Sequence, residues 1–335
     1  MEIRHQYIER ETREIRTESL YWDRVISFLY SRVREDVPRL FNMLTGPRLT
    51  GLIGFLNYDL FIGRKLLRNR AFMMRCGIDF KECLDPPGAL NTAKKIFERK
   101  IRYWECRPMD GDPRTVVSPA DARVLIGSFC DNKPLCVKEK FFQYEELLGK
   151  DKAIWRSAFK DGDFVILRLT PDKYHYNHTP VAGRVIDFYE LDGRYHSCNP
   201  SAVVTTVTPY SLNKRTVTVI DTDVENGTRA GLVAMIEVVA FMIGDIVQCY
   251  SDEKYGSPVS VTPGMFVKKG VPKSLYKPGS STDILIFEKD RIDFAGDLLK
   301  NRNDQRAINR YSLTFGAGFI ETDVRVRSYI GRAKE

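Results

Sequence analysis

The chain has 335 residues, 43% hydrophobic, with a formal net charge of +8 and seven cysteines at no paired spacing. That length holds one large domain with appendages, and the odd cysteine count speaks against a secreted disulfide scaffold and for a reducing compartment. No signal-peptide pattern opens the sequence, and no run of 18 apolar residues occurs, because Asn57 and Asp59 break the best candidate and Glu237 and Asp245 the next, which excludes a simple spanning helix.

Residues 1–105 read mainly as helices. Trp22, Val25, Ile26, Phe28 and Leu29 are spaced along one helical face, and Asp85-Pro86-Pro87-Gly88 interrupts the pattern. This region carries 20 Lys+Arg against 14 Asp+Glu, six of the eight net positive charges. Within 49–75, apolar patches such as Leu52-Ile53-Gly54-Phe55-Leu56 and Leu60-Phe61-Ile62 are interleaved with Arg64, Lys65, Arg68, Arg70 and Arg75. That mixture suits a helix lying in an anionic membrane surface. A helical layer packed on the rest of the protein, its cationic face in solvent, would have the same amphipathicity. No nucleic-acid-binding motif accompanies the basic excess, so nucleic acid is not an expected partner.

From about 110 to 290, short β-branched runs recur between turns: Val124-Leu125-Ile126-Gly127, then 164–169, 203–207, 216–220, 233–241 and 284–287. The tail from 291 has a basic helix-like stretch and then the alternating Val324-Arg325-Val326-Arg327. The expected fold class is α+β, with a helical, basic, membrane-associating region at 1–105, a β-rich catalytic domain at 106–290, and a C-terminal extension at 291–335 with no assigned role.

Three clusters carry chemistry. In Val116-Val117-Ser118-Pro119-Ala120-Asp121-Ala122-Arg123-Val124, a carboxylate sits on a Pro-punctuated turn ahead of a strand; alone it reads as a turn residue bonding its own backbone. In Thr170-Pro171-Asp172-Lys173-Tyr174-His175-Tyr176-Asn177-His178-Thr179-Pro180, two of the four histidines lie three residues apart. They could be structural, half a zinc site, or an acid/base pair, since imidazole titrates nearest neutrality. No further ligands stand at recognisable metal spacing, and no metal is expected. In Pro278-Gly279-Ser280-Ser281-Thr282-Asp283-Ile284-Leu285-Ile286-Phe287-Glu288, a Gly-Ser-Ser-Thr turn leads straight into an apolar strand. Such turns are usually ordinary, but a serine held there can attack the carbonyl of its own preceding peptide. With Asp121 and a histidine, that serine completes a charge-oriented triad.

Taken in order, these elements resemble the phosphatidylserine decarboxylase family of pyruvoyl enzymes. Ser118 to Ala122 is similar to the family's Ser-Pro-Ala-Asp-Gly, with alanine in the last place. Asp172 to Gly183 matches Asp-x-Tyr-His-x-x-His-x-Pro-x-x-Gly without interruption. Residues 279–288 resemble its Gly-Ser-Thr site followed by Leu-Ile-Phe-Glu, and Cys198-Asn199-Pro200-Ser201-Ala202-Val203 its Val-Asn-Pro-x-Ala-Val. The resemblance covers roughly 105–290. Ala122 would meet any demand for positive φ less easily than glycine. Counting six residues back from Phe287 selects Ser281 as the reactive serine, whereas counting forward from Gly279 selects Ser280. Ser281 is preferred, because a one-residue shift would reverse the faces of the following strand.

The resemblance implies a self-cleaving proenzyme whose Ser281 (alternatively Ser280) becomes the pyruvoyl cofactor. It implies conversion of phosphatidylserine to phosphatidylethanolamine, with Asp121 and His178 activating the serine and His175 serving decarboxylation. The expected partners are a phospholipid substrate, an anionic membrane surface and the protein's own cleaved α and β chains; a homo-oligomer is compatible. The expected location is peripheral, on the cytoplasmic side of a membrane. Two alternatives stand beside it: a decarboxylase of a free amino acid, and a non-catalytic carrier, because 235–239, 243–247 and 263–270 resemble pieces of a lipoyl-carrier barrel.

Overall fold

In the run from Ser281 to Phe287 every residue is buried, and the side chains alternate between two cores: Leu285 and Phe287 in one, Ile284 and Ile286 in the other. A strand of this composition needs cover on both faces and pairing at both edges. The computed structural model describes residues 4–20, 23–46, 78–130, 141–206, 209–240, 245–279 and 281–335. In it this strand, β13 (Ser281–Phe287), sits inside a ten-stranded sheet. The order is β11 (Phe266–Val267), β7 (Gly183–Leu191), β8 (Arg215–Asp221), β9 (Leu232–Val239), β13, β5 (Asp163–Leu169), β4 (Ala122–Ser128), β15 (Glu321–Val324), β1 (Gln6–Glu9), β2 (Ile15–Thr17). All pairings are antiparallel except that of β1 with β15.

One face of this sheet packs on two three-stranded sheets. One contains β10 (Ile246–Gln248), β12 (Pro272–Tyr276) and β6 (Tyr176–His178); the other contains β14 (Ile292–Phe294), β16 (Tyr329–Ala333) and β3 (Thr115–Val117). Val181, Tyr276, Phe294 and Ile330 from that side meet Val165, Leu167, Met235 and Leu285. The other face is covered by short helices and loops through Phe141, Leu148, Phe159, Tyr210 and Tyr311. The molecule is thus mixed α/β and β-rich, and among the described residues no helix is long and apolar enough to cross a membrane.

Three expectations need correction. Residues 1–105 are not mainly helical where described: β1 and β2 form a hairpin at the sheet edge, alongside helices such as Asp23–Phe28 and Pro38–Leu44. In the run at 203–207, residues 203–205 belong not to a strand but to a helix, Pro200–Thr205, and residue 207 lies outside the described residues. Asn199 caps the helix by accepting from Ser201 N–H and Pro200 occupies its first turn, two start signals that outweigh the β-branched side chains. The alternation at 324–327 is not one strand: β15 ends at Val324, and Arg327 takes a positive φ of 69° in the turn that follows. The region 49–75, read above as membrane-associating, lies outside the described residues. Ala122 opens β4 without a positive φ, so replacing a glycine there carries no strain.

The pairings run across the expected boundaries at 105 and 290, since β15 from the tail lies between β4 and the N-terminal β1. A buried ionic cluster holds this junction. Arg168 on β5 donates to Glu18 at 2.9 and 2.6 Å and to Glu321 at 3.0 and 2.8 Å, and His5 Nε2 lies 2.7 Å from Glu321. Ligand atoms of His5, Glu18 and Glu321 lie within 4.8 Å of one another, a metal-like spacing, but the guanidinium already bridges the carboxylates. Burial alone would raise the pKa of Glu321; the Arg168 charge and hydrogen bonds together with those of His5 outweigh it and hold the group below its usual range. Arg168→Met should therefore cost about 3–5 kcal/mol, the range for removing one partner of a buried ion pair. Adding Glu18→Gln and Glu321→Gln should restore part of the loss. Urea unfolding midpoints check this, and an Arg168→Met midpoint equal to wild type would refute it.

Candidate active site

The sheet topology gathers the three sequence clusters. The turn at 118–121 leads into β4, and its Pro119 carbonyl accepts the His178 backbone N–H at 2.7 Å. His178 ends β6, opposite Pro272 of β12, and at the far end of β12 the Tyr276 N–H donates to the His175 carbonyl at 3.1 Å. From Tyr276 the chain turns through 277–279 and re-enters the main sheet at Ser281. Tyr276 Oη lies 3.1 Å from the Thr282 carbonyl and 2.7 Å from Asp283 Oδ1. Asp121, both histidines and Ser281 are thus linked through neighbouring backbone segments. Ser280, the alternative reactive residue, lies outside the described residues.

Ser281 is 1% exposed, and its Oγ has no hydrogen-bond partner among the described residues. It pairs across both ladders, with Val239 on β9 and Leu169 on β5. An unpaired buried hydroxyl is costly, and here it stands at the end of a rigid strand beside a turn.

His178 is fully buried. Its Nδ1 lies 3.0 Å from the Gly270 carbonyl, which can only accept, so Nδ1 carries the proton and Nε2 is the free acceptor, 3.0 Å from Tyr174 Oη. Gly270 adopts φ 75°, where a Cβ would also collide with Met109 Sδ; glycine thereby lets this carbonyl face the imidazole. Burial pushes the His178 pKa down to about 3, the Gly270 bond opposing it only in part. His178 is a neutral base at physiological pH.

His175 is stacked on Phe97 with ring centroids 3.5 Å apart, and both its ring nitrogens are buried without a well-formed hydrogen bond. Burial, assisted by the Arg99 charge, lowers its pKa well below the imidazole range, with the Lys173 backbone and Asp121 opposing.

Asp121 is buried but does not bond to either histidine. Arg107 donates to its Oδ1 at 3.1 Å and its Oδ2 at 2.8 Å, and the Val326 N–H donates to Oδ1 at 2.7 Å. The hydrogen-bonded Asp121–His178 pair of a charge-oriented triad is therefore not formed; the two partners of Asp121 saturate one and those of His178 the other. Burial would raise the Asp121 pKa, but the Arg107 charge and hydrogen bonds reverse this and hold it at about 2. Its negative charge still acts on His178, raising the imidazole pKa slightly through space. A cavity of about 500 Å³ reaches this carboxylate, lined also by Arg99, Asp172 and Lys173.

Sequence reasoning missed Arg107, Tyr174, Tyr276 and a buried polar set of Asn177, Glu237, Lys273, Ser274 and Asp283. Arg107 carries no local signal. Glu237 and Asp283 did carry one: each is a lone carboxylate inside an apolar strand, where only a partnered or functional acid is expected.

The model of the family described as Phosphatidylserine decarboxylase matches residues 93–311. The chain is similar to the phosphatidylserine decarboxylase proenzyme of Fusobacterium nucleatum, 28% identical over 313 residues that cover 90% of this chain and 93% of that one. It is likewise similar to those of Chlamydia pneumoniae, at 30% identity, and Chlamydia caviae, at 31%, each over 88% of this chain and 91% and 92% of theirs.

The site has a directional pH signature. A histidine with its folded pKa below the unfolded value near 6.5 is protonated first in the unfolded state, so stability falls as pH drops from about 6.5 towards 3. Asp121 adds loss of the same sign between about 4 and 2. His178→Gln should flatten the profile by about one proton, ~1.4 kcal/mol per pH unit between pH 6 and 4. Urea midpoints across that interval measure it, and parallel wild-type and variant profiles would contradict the buried neutral imidazole.

Proposed function

This chain belongs to the phosphatidylserine decarboxylase family, and we propose that it cleaves itself before Ser281 and then decarboxylates phosphatidylserine to phosphatidylethanolamine. The family is pyruvoyl-dependent, the group arising from an internal serine by self-cleavage. The observation that carries the reading is the buried Ser281 Oγ, without a partner among the described residues, at the head of a doubly paired strand and one tyrosine away from His175. These orphaned groups fit the chemistry: an unbonded hydroxyl is free to attack, and the unbonded His175 nitrogens are free to meet a substrate.

In maturation, Ser281 Oγ attacks the carbonyl carbon of residue 280. The new C–O bond forms, the C–N bond to Ser281 breaks, and the hydroxyl proton ends on the freed nitrogen. Loss of the Ser281 α-proton then breaks the Cβ–O bond, the carboxylate of residue 280 departs, and water releases the nitrogen as ammonia. Neutral His178 is the base that suits the first proton transfer, with its Nε2 lone pair available once Tyr174 yields it. Asp121 favours the transient imidazolium by its charge rather than by a hydrogen bond. The pyruvoyl carbonyl, once present, supplies an electron sink for the pair left by CO2. His175, aligned by stacking on Phe97, holds or returns the proton at that carbon.

A peripheral position on the cytoplasmic face of an anionic membrane fits the substrate. Val25, Phe28, Leu40 and Met43 are exposed near Arg32 and Arg39 in the helical stretch before residue 47, a composition suited to a lipid surface.

Intact-mass analysis tests self-cleavage. Wild type should divide into 1–280 and a blocked 55-residue fragment, 281–335, while Ser281→Ala stays whole. His178→Ala and Asp121→Ala should stay largely whole, and His175→Ala should cleave yet release no CO2. Cleavage of Ser281→Ala together with failure of Ser280→Ala would move the reaction to the neighbouring serine.

Substrate choice is tested by offering the matured protein phosphatidylserine in mixed micelles beside free serine and aromatic amino acids, with CO2 and amine product measured. Phosphatidylserine should be preferred, and on anionic vesicles the bound fraction should fall as salt screens the surface charge. Preference for a free amino acid would keep the chemistry and overturn the lipid assignment.

A further inference from the structure

Ser281 and Asp283 lie on the same face of β13, two residues apart, and Asp283 stands directly opposite Glu237 on β9. Both carboxylates are fully buried. Side chains directly opposite in an antiparallel pair have Cβ atoms roughly 4.5–5.5 Å apart, so two negative charges here would meet without water between them. Lys273 of β12 is also fully buried, and its Nζ lies 2.6 Å from Glu237 Oε2 and 3.1 Å from Gln248 Oε1. Glu237 Oε1 accepts from Asn177 Nδ2 at 3.2 Å and from the Ser274 hydroxyl. Glu237 is thus a fully satisfied carboxylate.

Asp283 is not. Its Oδ1 faces Tyr276 Oη at 2.7 Å, its Oδ2 is buried without a partner among the described residues, and its register neighbour on β5 is the apolar Leu167. The charged and titratable groups that bear on it are Glu237 from β9 and Tyr276 and Lys273 from β12. Burial and then Glu237 push its pKa well up, with Tyr276 and Lys273 opposing.

Proton counting gives the same result independently. Tyr276 Oη touches two oxygens, Asp283 Oδ1 and the Thr282 carbonyl at 3.1 Å, but a phenol has one proton. The carbonyl cannot donate. As two full two-centre bonds they form together only when the carboxyl of Asp283 donates to Tyr276 and Tyr276 donates to Thr282.

We propose that Asp283 is a protonated positioning residue of this site, donating to Tyr276, which donates to the Thr282 carbonyl and so holds the strand end that carries Ser281. This rests on the reading of Ser281 as the processed residue. The Tyr276 N–H also donates to the His175 carbonyl, so one tyrosine fixes the serine strand and the histidine loop against each other. Ionisation of Asp283 would remove the donor to Tyr276, divert the phenol proton from Thr282 and set two carboxylates face to face. The hold exists below the raised pKa and is lost as pH rises through it.

The test follows freshly translated full-length chain by gel and the matured protein by infrared difference spectroscopy. Asp283→Asn keeps a neutral donor of the same shape and should cleave within about threefold of wild type, whereas Asp283→Ala should be about tenfold slower or more. The wild-type minus Asp283→Asn spectrum should contain a protonated-carboxyl band. In Glu237→Gln, Asp283 faces Lys273 without the competing carboxylate, so its band should titrate away at lower pH than in wild type. Absence of the band at neutral pH, an Asp283→Asn rate as low as that of Asp283→Ala, or a band unmoved by Glu237→Gln would each overturn the proposal. If Asp283→Ala does not fold, Asp283→Asn and Glu237→Gln still decide it. Cleavage of a parallel Ser281→Ala sample would instead refute the serine assignment, whatever the spectra show.

Discussion

The double ladder around β13 is the constraint on which the remaining architecture depends. Seven consecutive residues pair with β9 on one side and β5 on the other, and each face is sealed by its own core. A one-residue slip would exchange Leu285 and Phe287 for Ile284 and Ile286 and turn Ser281 and Asp283 to the opposite side. Hydrophobic packing far from the chemistry therefore sets the position of the serine. Ser281, the proposed nucleophile, is the first residue of this doubly paired strand rather than a side chain on a loop.

The same sealing makes every polar group in the interior consequential, because a buried donor or acceptor without a partner loses its solvation outright. Most are served: Arg107 and Val326 saturate Asp121, Gly270 and Tyr174 serve His178, and Lys273, Asn177 and Ser274 satisfy Glu237. The exceptions include Ser281 Oγ, both His175 ring nitrogens and Asp283 Oδ2. All three lie along the path from the histidine loop through Tyr276 to β13. Other such atoms lie elsewhere in the fold, among them Arg156 Nε and Tyr311 Oη, but these three stand at the proposed site, where preorganisation makes their cost tolerable.

Much of the chemistry was legible from local residue types. Asp172 to Gly183, Ser118 to Ala122 and the Gly-Ser-Ser-Thr turn carry their residues at short fixed spacings, and the sheet brings all three clusters to one place. The apolar runs at 124–127, 164–169, 216–220 and 284–287, and residues 233–239 of the run at 233–241, also became strands, because β-branched runs bounded by turns have few other ways to be buried. The run at 203–207 failed because Asn199 and Pro200, two residues outside it, start a helix. The N-terminal hairpin was missed because β1 and β2 are only four and three residues long, and the sheet edge they dock on, β15, lies more than 300 residues away.

Local residue order already named the candidate reacting groups, which are a serine after a turn, two imidazoles three residues apart and a carboxylate ahead of a strand, and the family to which that set belongs. Those properties are covalent and local, so they survive being read one segment at a time. Tertiary structure alone decided the protonation states and the partners. Asp121 answers to Arg107 rather than to a histidine, and His178 is a neutral base because burial removes water from its ring. Asp283, marked in the linear chain as a lone carboxylate but not in its partner, meets Glu237 across a fully buried ladder. Charge in an interior depends on distance and dielectric, and both are set by strands that meet only once the chain has folded.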